Sequence, residues 1–257
     1  MPNKIFSAKS RNLLGLNILS NGHNLKSSKI DLKTFFSKKN WGACINSHSI
    51  ALSTYDKKFY NAIHSADFLL PDGISIVLAA KIFNVKINKR VTGYDFFLCL
   101  CRFLNKKKNS KIFFLGSSKN VLKKIEKNFS KDYKNIKINY YAPPFKKNFS
   151  ILENREIIKK INFFAPDLLF VGMTQPTQEK WIYNNYDSLN IKIAIGIGAV
   201  FDYYSGNKKH PSLFFRSLGL EWFVRFLYEP KRLFSRIFKS NFIFFKVILY
   251  YLFKSKK

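Results

Sequence analysis

The sequence predicts an α/β protein: a parallel sheet with helices on both faces, followed by a basic helical C-terminal appendage. Three observations predict it. Between about residues 40 and 200, short apolar runs alternate with longer amphipathic ones, as strand–helix repetition requires. The short runs are apolar almost throughout, which is the pattern of strands covered on both faces rather than one. After Asp202 no strand-like run follows, and Arg and Lys stand among aromatics at helical spacing. The boundary falls at Gly206, giving an α/β core over 1–206 and a basic amphipathic, membrane-associating appendage over 207–257.

Taken in order, the expected strands are 41–45, 67–70, 111–115, 136–140, 168–171 and 191–195. The helical stretches between them are 49–64, 74–83, 94–107, 119–130, 153–164 and 177–186. The length of 257 residues suits one large domain, or one domain with an appendage, and 47% hydrophobic content excludes disorder. Lys and Arg number 45 against 15 acidic residues, a net charge of +30, which points to a polyanionic partner: nucleic acid, an anionic membrane or phosphorylated substrates. Cys44, Cys99 and Cys101 lie in apolar runs without metal-ligand or disulfide spacing, and read as buried thiols of a reducing compartment. The apolar stretch Leu13 to Leu16 is too short for a signal peptide core, and no uncharged run reaches the ~18 residues of a membrane span. A cytoplasmic protein is expected, touching a membrane only at its surface.

The candidate chemistry lies where strands end. Phe68-Leu69-Leu70 runs into Pro71-Asp72-Gly73, which stops the strand and places Asp72 at its carboxyl end, the edge where open α/β sheets bind ligands. The other reading of Asp72 is a turn residue bonding local amides. Asp67 precedes the same strand and belongs at the opposite edge. Leu115-Gly116-Ser117-Ser118 is either an ordinary strand-to-helix turn or a phosphate cradle, and lacks the Gly-Lys-Ser/Thr of a Walker loop. Gly196-x-Gly198 follows a strand, but Phe201 replaces the third glycine of the dinucleotide fingerprint. In Gly172-Met173-Thr174-Gln175-Pro176-Thr177-Gln178-Glu179-Lys180, Thr177 is placed to cap a helix and Gln178 to present its amide to a ligand. Arg90 either pairs with Asp95 or binds substrate phosphate. His23, His48, His64 and His210 are scattered and read as structural or surface residues, and no Asp-x-Asp for a metal–nucleotide complex is present.

Six segments in order resemble one family. They are Pro71-Asp72-Gly73, Arg90-Val91-x-Gly93-x-Asp95, Phe114-Leu115-Gly116, Val171-Gly172-Met173-x-x-Pro176-x-Gln178-Glu179-Lys180, Gly196-x-Gly198-x-x-Phe201-Asp202, and Leu218-Gly219-Leu220-Glu221-Trp222-x-x-Arg225-x-x-x-Glu229-Pro230-x-Arg232. Over roughly residues 40 to 240 the chain resembles the WecG/TagA/CpsF glycosyltransferases, glycosyltransferase family 26. The resemblance implies a Rossmann-like core that needs no metal cofactor. It also implies an inverting transfer of a sugar, typically N-acetylmannosamine, from a UDP-sugar donor. The acceptor it implies is a polyprenyl-diphosphate-linked sugar at the inner face of the cytoplasmic membrane, in bacterial surface polysaccharide or teichoic acid synthesis.

By the same resemblance Asp72 is the catalytic base and Gln178 contacts substrate. The remaining substrate-binding candidates are Asn46, Cys44, Arg90, Gly116, Gly196, Gly198, Asp202, Arg225, Arg232 and Arg236. Many members carry Thr-x-Asn where this chain has Cys44-Ile45-Asn46, so a threonine hydroxyl contact does not carry over to Cys44. Tyr141-Ala142-Pro143-Pro144-Phe145 replaces a Gly-Tyr-Phe segment, which leaves a different hexose or uronic acid open as the transferred sugar. Assembly into a homo-oligomer is also left open. The rival readings are a non-catalytic membrane-binding module and a nucleic-acid-binding protein. The latter needs exposed aromatics on a basic patch, whereas the aromatics of the core sit in apolar runs. In the appendage, Arg225, Glu229, Arg232, Arg236, Lys239, Lys246, Tyr250 and Lys254 fall near one helical face and apolar residues near the other. That pattern suits an anionic membrane interface, with Arg225, Arg232 and Arg236 placed to reach diphosphates.

Overall fold

The computed structural model describes residues 10–19, 32–87 and 89–254. A hairpin of β1 (Ser10–Leu13) and β2 (Leu16–Leu19) comes first, then the single turn α1 (Leu32–Phe35). The strands that follow are β3 (Asn40–Ile45), β4 (Phe68–Pro71), β5 (Ser110–Gly116), β6 (Ile136–Tyr141), β7 (Leu168–Gly172) and β8 (Ile193–Gly196). Between them lie α2 (Ser47–Ser53), α3 (Lys57–Ser65), α4 (Ile74–Ile82), α5 (Gly93–Asn105), α6 (Lys119–Asp132), α7 (Ile151–Phe164) and α8 (Thr177–Asn185). The chain ends with α9 (Val200–Tyr204), α10 (Leu213–Ser217), α11 (Glu221–Tyr228) and α12 (Pro230–Lys254). Each of the six expected strands is present, shifted by no more than two residues at either end.

The eight strands form one sheet in the order β1-β2-β4-β3-β8-β7-β5-β6, antiparallel only in the hairpin. β8, the last strand of the sequence, lies between β3 and β7 and joins the two halves of the sheet. Alternate residues serve opposite faces. Phe68 and Leu70 of β4 enter a core with Phe96, Phe97, Phe114, Phe170 and Phe201, while Leu69 enters the other with Trp41, Ile45, Phe113 and Val171. Both faces are therefore closed to water, which is why the strands read as unbroken apolar runs. Asp67 Oδ2 accepts from the Trp41 amide at 2.8 Å and Asp167 Oδ2 from the Lys111 amide at 2.9 Å, two carboxylates stitching strand starts at the edge away from Asp72.

Three expectations change. The stretch 49–64 is two helices, because the Asp56 side chain accepts from the Phe59 amide at 3.0 Å and starts α3 afresh. Thr177 is not a cap: Pro176 holds that position, without a side-chain hydrogen bond. The C-terminal helix does not divide into one polar and one apolar face. Its inward ridge carries Leu233, Ser240 and Ile248, all buried, with Phe244, Val247 and Leu252 joining the core beside α2. Its outward ridge carries Phe234, Phe238, Phe242, Phe245 and Phe253, each more than half exposed, among Lys231, Lys239, Lys246 and Lys254. Pro230 opens the helix, where its missing N–H costs nothing. No described helix is long and apolar enough to cross a membrane.

Candidate active site

Register along the sheet gathers the strand ends. Ile45 pairs with Pro71, Ala43 and Val171 with Gly196, and Gly116 with Gly172, so Asn46, Asp72, Gly172 and Gly196 emerge along one edge. Asp72 is fixed there by its backbone: its amide and that of Gly73 donate to Ile45 O at 3.0 and 3.3 Å, and Val91 donates to Pro71 O at 3.0 Å. Its carboxylate accepts from the Gly93 amide at the start of α5. Gly93 packs closely here: a Cβ there would stand 3.0 Å from Cys44 Sγ.

Charge converges on Asp72 from several elements. Arg90 lies in the loop before α5, Glu221 and Arg225 on α11, and all three act on the carboxylate. Burial, then the neighbouring Glu221 charge, push Asp72 up to about 6, against the pull of Arg90, Arg225 and the Gly93 amide. Among the described residues Asp72 makes no ion pair. Cys44 faces the same space, and burial, Asp72 and Glu179 together push its thiol well above the usual range. Tyr203 of α9 completes the ring around the base, its phenol raised by burial against the pull of Arg225.

Of the two readings of Arg90, the pair with Asp95 does not form. Arg90 Nη2 instead binds Glu221 Oε2 at 2.9 Å and the Arg216 carbonyl at 3.0 Å, while Arg216 Nη2 takes Asp95 Oδ1 at 2.7 Å. The C-terminal helices thus dock on the mouth of the α/β layer through exchanged partners. His210 is part of this dock rather than a surface residue. Its ring lies between Tyr94 and Tyr203, with centroids 4.3 and 4.6 Å away, and its buried Nε2 is 3.4 Å from Glu221 Oε1. Burial opposes ionisation of Glu221, yet His210, Arg90 and Arg216 hold it below the usual carboxylate range.

A second cluster lies under the β7 and β8 ends. Gln178 is buried, and its Oε1 accepts from the Gly198 amide at 3.2 Å while its Nε2 donates to Glu179 Oε1 at 2.9 Å. The amide expected to face a ligand is spent on holding the Gly198 turn (φ +32°) beneath the site. Gly196 serves the same packing, since a Cβ would meet the Gln178 amide at 3.0 Å. Glu179, fully buried, also accepts from Gln175 Nε2 at 3.1 Å; burial pushes it up to about 7, against Gln178, its own amide, Gln175 and Arg236. Gln175 Oε1 in turn accepts from Ser49 Oγ at 3.2 Å, and Ser49 with Asn46 closes a capping box at the start of α2. Asn46 thereby uses its Oδ1 on the His48 and Ser49 amides. Arg236 of α12 reaches this cluster: burial and its charge lower His48 to about 4, and His48 Nδ1 lies 2.8 Å from Ser240 Oγ.

The remaining expected residues stand apart or serve packing. Gly116, at φ +112°, faces the Gly172 backbone, where a Cβ would come within 2.6 Å of the carbonyl oxygen. Ser118 caps α6 through the Val121 amide at 3.3 Å, so this turn matches the ordinary strand-to-helix reading. Asp202 accepts from Asn207 Nδ2 at 3.3 Å, with Lys208 Nζ at 3.8 Å. The Arg232 side chain lies outside the described residues, as does His23. The structure therefore brings together Asp72, Arg90, Cys44, Asn46 and Arg225, with Arg236 at the neighbouring cluster. It adds Glu221, His210, Tyr203 and Glu179. A carboxylate inside an otherwise apolar motif was the available signal for Glu221; for Glu179, set in a polar run, and for His210, tested only against metal spacing, none was.

Chemically, the arrangement sets a carboxylate able to take up a proton beside two arginine charges. Among the described residues no group of three His, Cys, Asp or Glu could hold a metal ion. The family model of the glycosyl transferase WecG/TagA/CpsF family matches residues 17–257. Similar proteins include one of Bacillus subtilis (strain 168), 35% identical over 177 residues, 69% of this chain and 67% of that protein. Another, from Bacillus spizizenii, is 33% identical over 204 residues, 78% of this chain and 77% of that protein. A third, from Staphylococcus aureus (strain MRSA252), is 26% identical over 207 residues, 79% of each. All three are named N-acetylglucosaminyldiphosphoundecaprenol N-acetyl-beta-D-mannosaminyltransferase.

Proposed function

The chain belongs to the WecG/TagA/CpsF glycosyltransferase family, and from that premise we propose that it moves N-acetylmannosamine from UDP to a polyprenyl-diphosphate-linked N-acetylglucosamine. The transfer inverts the anomeric carbon. The observation that carries this reading is Asp72, a carboxylate at the carboxyl end of β4 raised to about 6 with Arg90 and Arg225 close by. Such a group is ionised at neutral pH, yet basic enough to take a proton usefully.

In the proposed step the acceptor hydroxyl oxygen attacks the anomeric carbon while its proton passes to an Asp72 oxygen. The bond from that carbon to the β-phosphate oxygen breaks, and its electron pair leaves on UDP. Arg225 and Arg236 are the cations we assign to the leaving diphosphate and to the diphosphate of the acceptor, because preorganised positive charge stabilises a departing anion. Asn46 and Cys44 border the sugar pocket in this reading, and Gln178 shapes its floor through Gly198.

Residues 207–257 act as an appendage that completes the site and rests on the anionic inner leaflet. The exposed phenylalanine ridge of α12, flanked by lysines, supports this. The test is Asp72→Asn, which keeps shape and removes basicity. Turnover of UDP-N-acetylmannosamine falls by roughly 10²–10⁴ while donor binding holds; near-wild-type turnover would remove Asp72 from the role.

A further inference from the structure

Arg90 stands beside the proposed base, and an arginine next to an aspartate ordinarily closes a salt bridge that spends the carboxylate. Here it does not, and the reason lies 131 positions further along the chain, at Glu221. Glu221 Oε2 holds Arg90 Nη2 at 2.9 Å, both side chains 14% exposed, and the Arg216 carbonyl takes the same nitrogen at 3.0 Å. Arg216 is itself tied to Asp95 at 2.7 Å, so the carbonyl is not free to drift. The other Glu221 oxygen faces His210, which two tyrosine rings confine. The contacts of Arg90 with Glu221 and Arg216, of Arg216 with Asp95, and of His210 with Tyr94 each join the C-terminal segment to the core.

We propose that Glu221 is a positioning residue for the transfer: it holds the Arg90 guanidinium on the C-terminal helices, leaving the Asp72 carboxylate unpaired and open to the acceptor hydroxyl. The inference rests on the reading of Asp72 as the base. It makes docking of α10 and α11 a condition of base function, beyond any contact those helices make with substrate. The groups that face Asp72 are Arg90 from the loop before α5, Glu221 and Arg225 from α11, Tyr203 from α9 and Cys44 from β3. Those that face Glu221 are Arg90, His210 and Arg216, with Tyr203 nearby. Of all these, Glu221 alone adds a negative charge beside the base while holding the Arg90 guanidinium out of a direct pair with it. The raised Asp72, with Glu221 as the largest cause after burial, agrees with the geometry.

The experiment compares pH profiles of kcat/KM for the full-length protein, with UDP-N-acetylmannosamine and a short-chain polyprenyl-diphosphate N-acetylglucosamine. Glu221→Gln releases Arg90 to Asp72. The acidic limb then moves down by about one pH unit, as an opposite charge at close range requires. The plateau falls by about threefold, because a weaker base expresses about half its lost basicity in the transition state. The double variant Glu221→Gln/Arg90→Gln brings the limb most of the way back to its wild-type position. A merely structural role lowers the plateau and leaves the limb in place, and that result, or a double variant whose limb stays with E221Q, overturns the proposal. Asp72→Asn is run alongside: a limb that survives in D72N sinks the base reading instead. Should E221Q not fold, Glu221→Asp carries the test, moving the limb the same way by less, and an unmoved limb in that folded variant overturns the proposal.

Discussion

Gly42→Ala tests the packing that holds Asp72 in place. Gly42 of β3 pairs directly with Phe68 of β4, three rungs before the Ile45–Pro71 pair that delivers Asp72 to the sheet edge. A Cβ on Gly42 would lie 2.3, 2.4 and 2.5 Å from three carbons of the Phe68 ring. The ring has nowhere to go: it is fully buried, with the Phe35 ring centroid at 4.8 Å and that of Phe96 at 5.8 Å. Overpacking of a filled core costs about 1–3 kcal/mol, and three overlapping atoms place this case at the upper end, about 3 kcal/mol. Removing a strand glycine returns roughly 0.5–1 kcal/mol of backbone entropy, for a net loss of about 2 kcal/mol. For a chain of this size that is a fall in Tm of about 4–8 °C, read by thermal melting in circular dichroism. Shrinking the ring relieves the clash, so in Gly42→Ala/Phe68→Leu the two losses fall short of additivity by about 1 kcal/mol or more. A Gly42→Ala variant that melts within about 1 °C of wild type, or strict additivity in the double variant, refutes this account of the β3–β4 contact.

Two further outcomes follow from the site and the tail. Gln178→Ala removes the acceptor of the Gly198 amide and a donor to Glu179; leaving such groups unpaired costs about 1–3 kcal/mol each. The variant accordingly loses thermal stability and turnover together, and a wild-type melt with reduced turnover would show that Gln178 touches substrate instead. Phe238→Glu/Phe242→Glu alters only the exposed ridge of α12. Its melt stays at the wild-type value while co-sedimentation with anionic vesicles is lost; unchanged sedimentation would place the contact elsewhere. In the wild-type protein each lysine near the surface adds about 1 kcal/mol to that binding, weakening as salt rises.

The sheet was legible because its strands are buried on both faces. Runs such as Leu168-Leu169-Phe170-Val171 admit few other structures, and Pro71 and the strand-end glycines punctuate them. The N-terminal hairpin was not legible. Its turn is Leu14-Gly15, both at positive φ (54° and 79°), and leucine is an uncommon occupant of that conformation. The break between α2 and α3 was concealed by apolar periodicity that runs through it, although Asp56 three residues before Phe59 was the available cap signal. In the site, Asp72 and Arg90 could be listed from local pattern, and Asn46 through the resemblance. What they bind could not, since the Glu221 and His210 partners come from the far end of the chain. A single sequence records spacing along the chain and not the exchange by which Arg90 takes Glu221 and Arg216 takes Asp95.

The place of β8 in the sheet bears on how the protein is made. Synthesis delivers β3 early and β7 late, and neither finds its missing neighbour until β8, the last strand, emerges and slips between them. Until then the nascent chain holds two partial sheets, each with an apolar central strand turned into an open edge, the kind of edge that recruits other strands. The Glu221 that arranges the site follows only 25 residues after the end of β8. Closure of the sheet and completion of the site are therefore nearly one event, and a ribosome stalled before it carries Asp72 on a half-built sheet with its edge exposed.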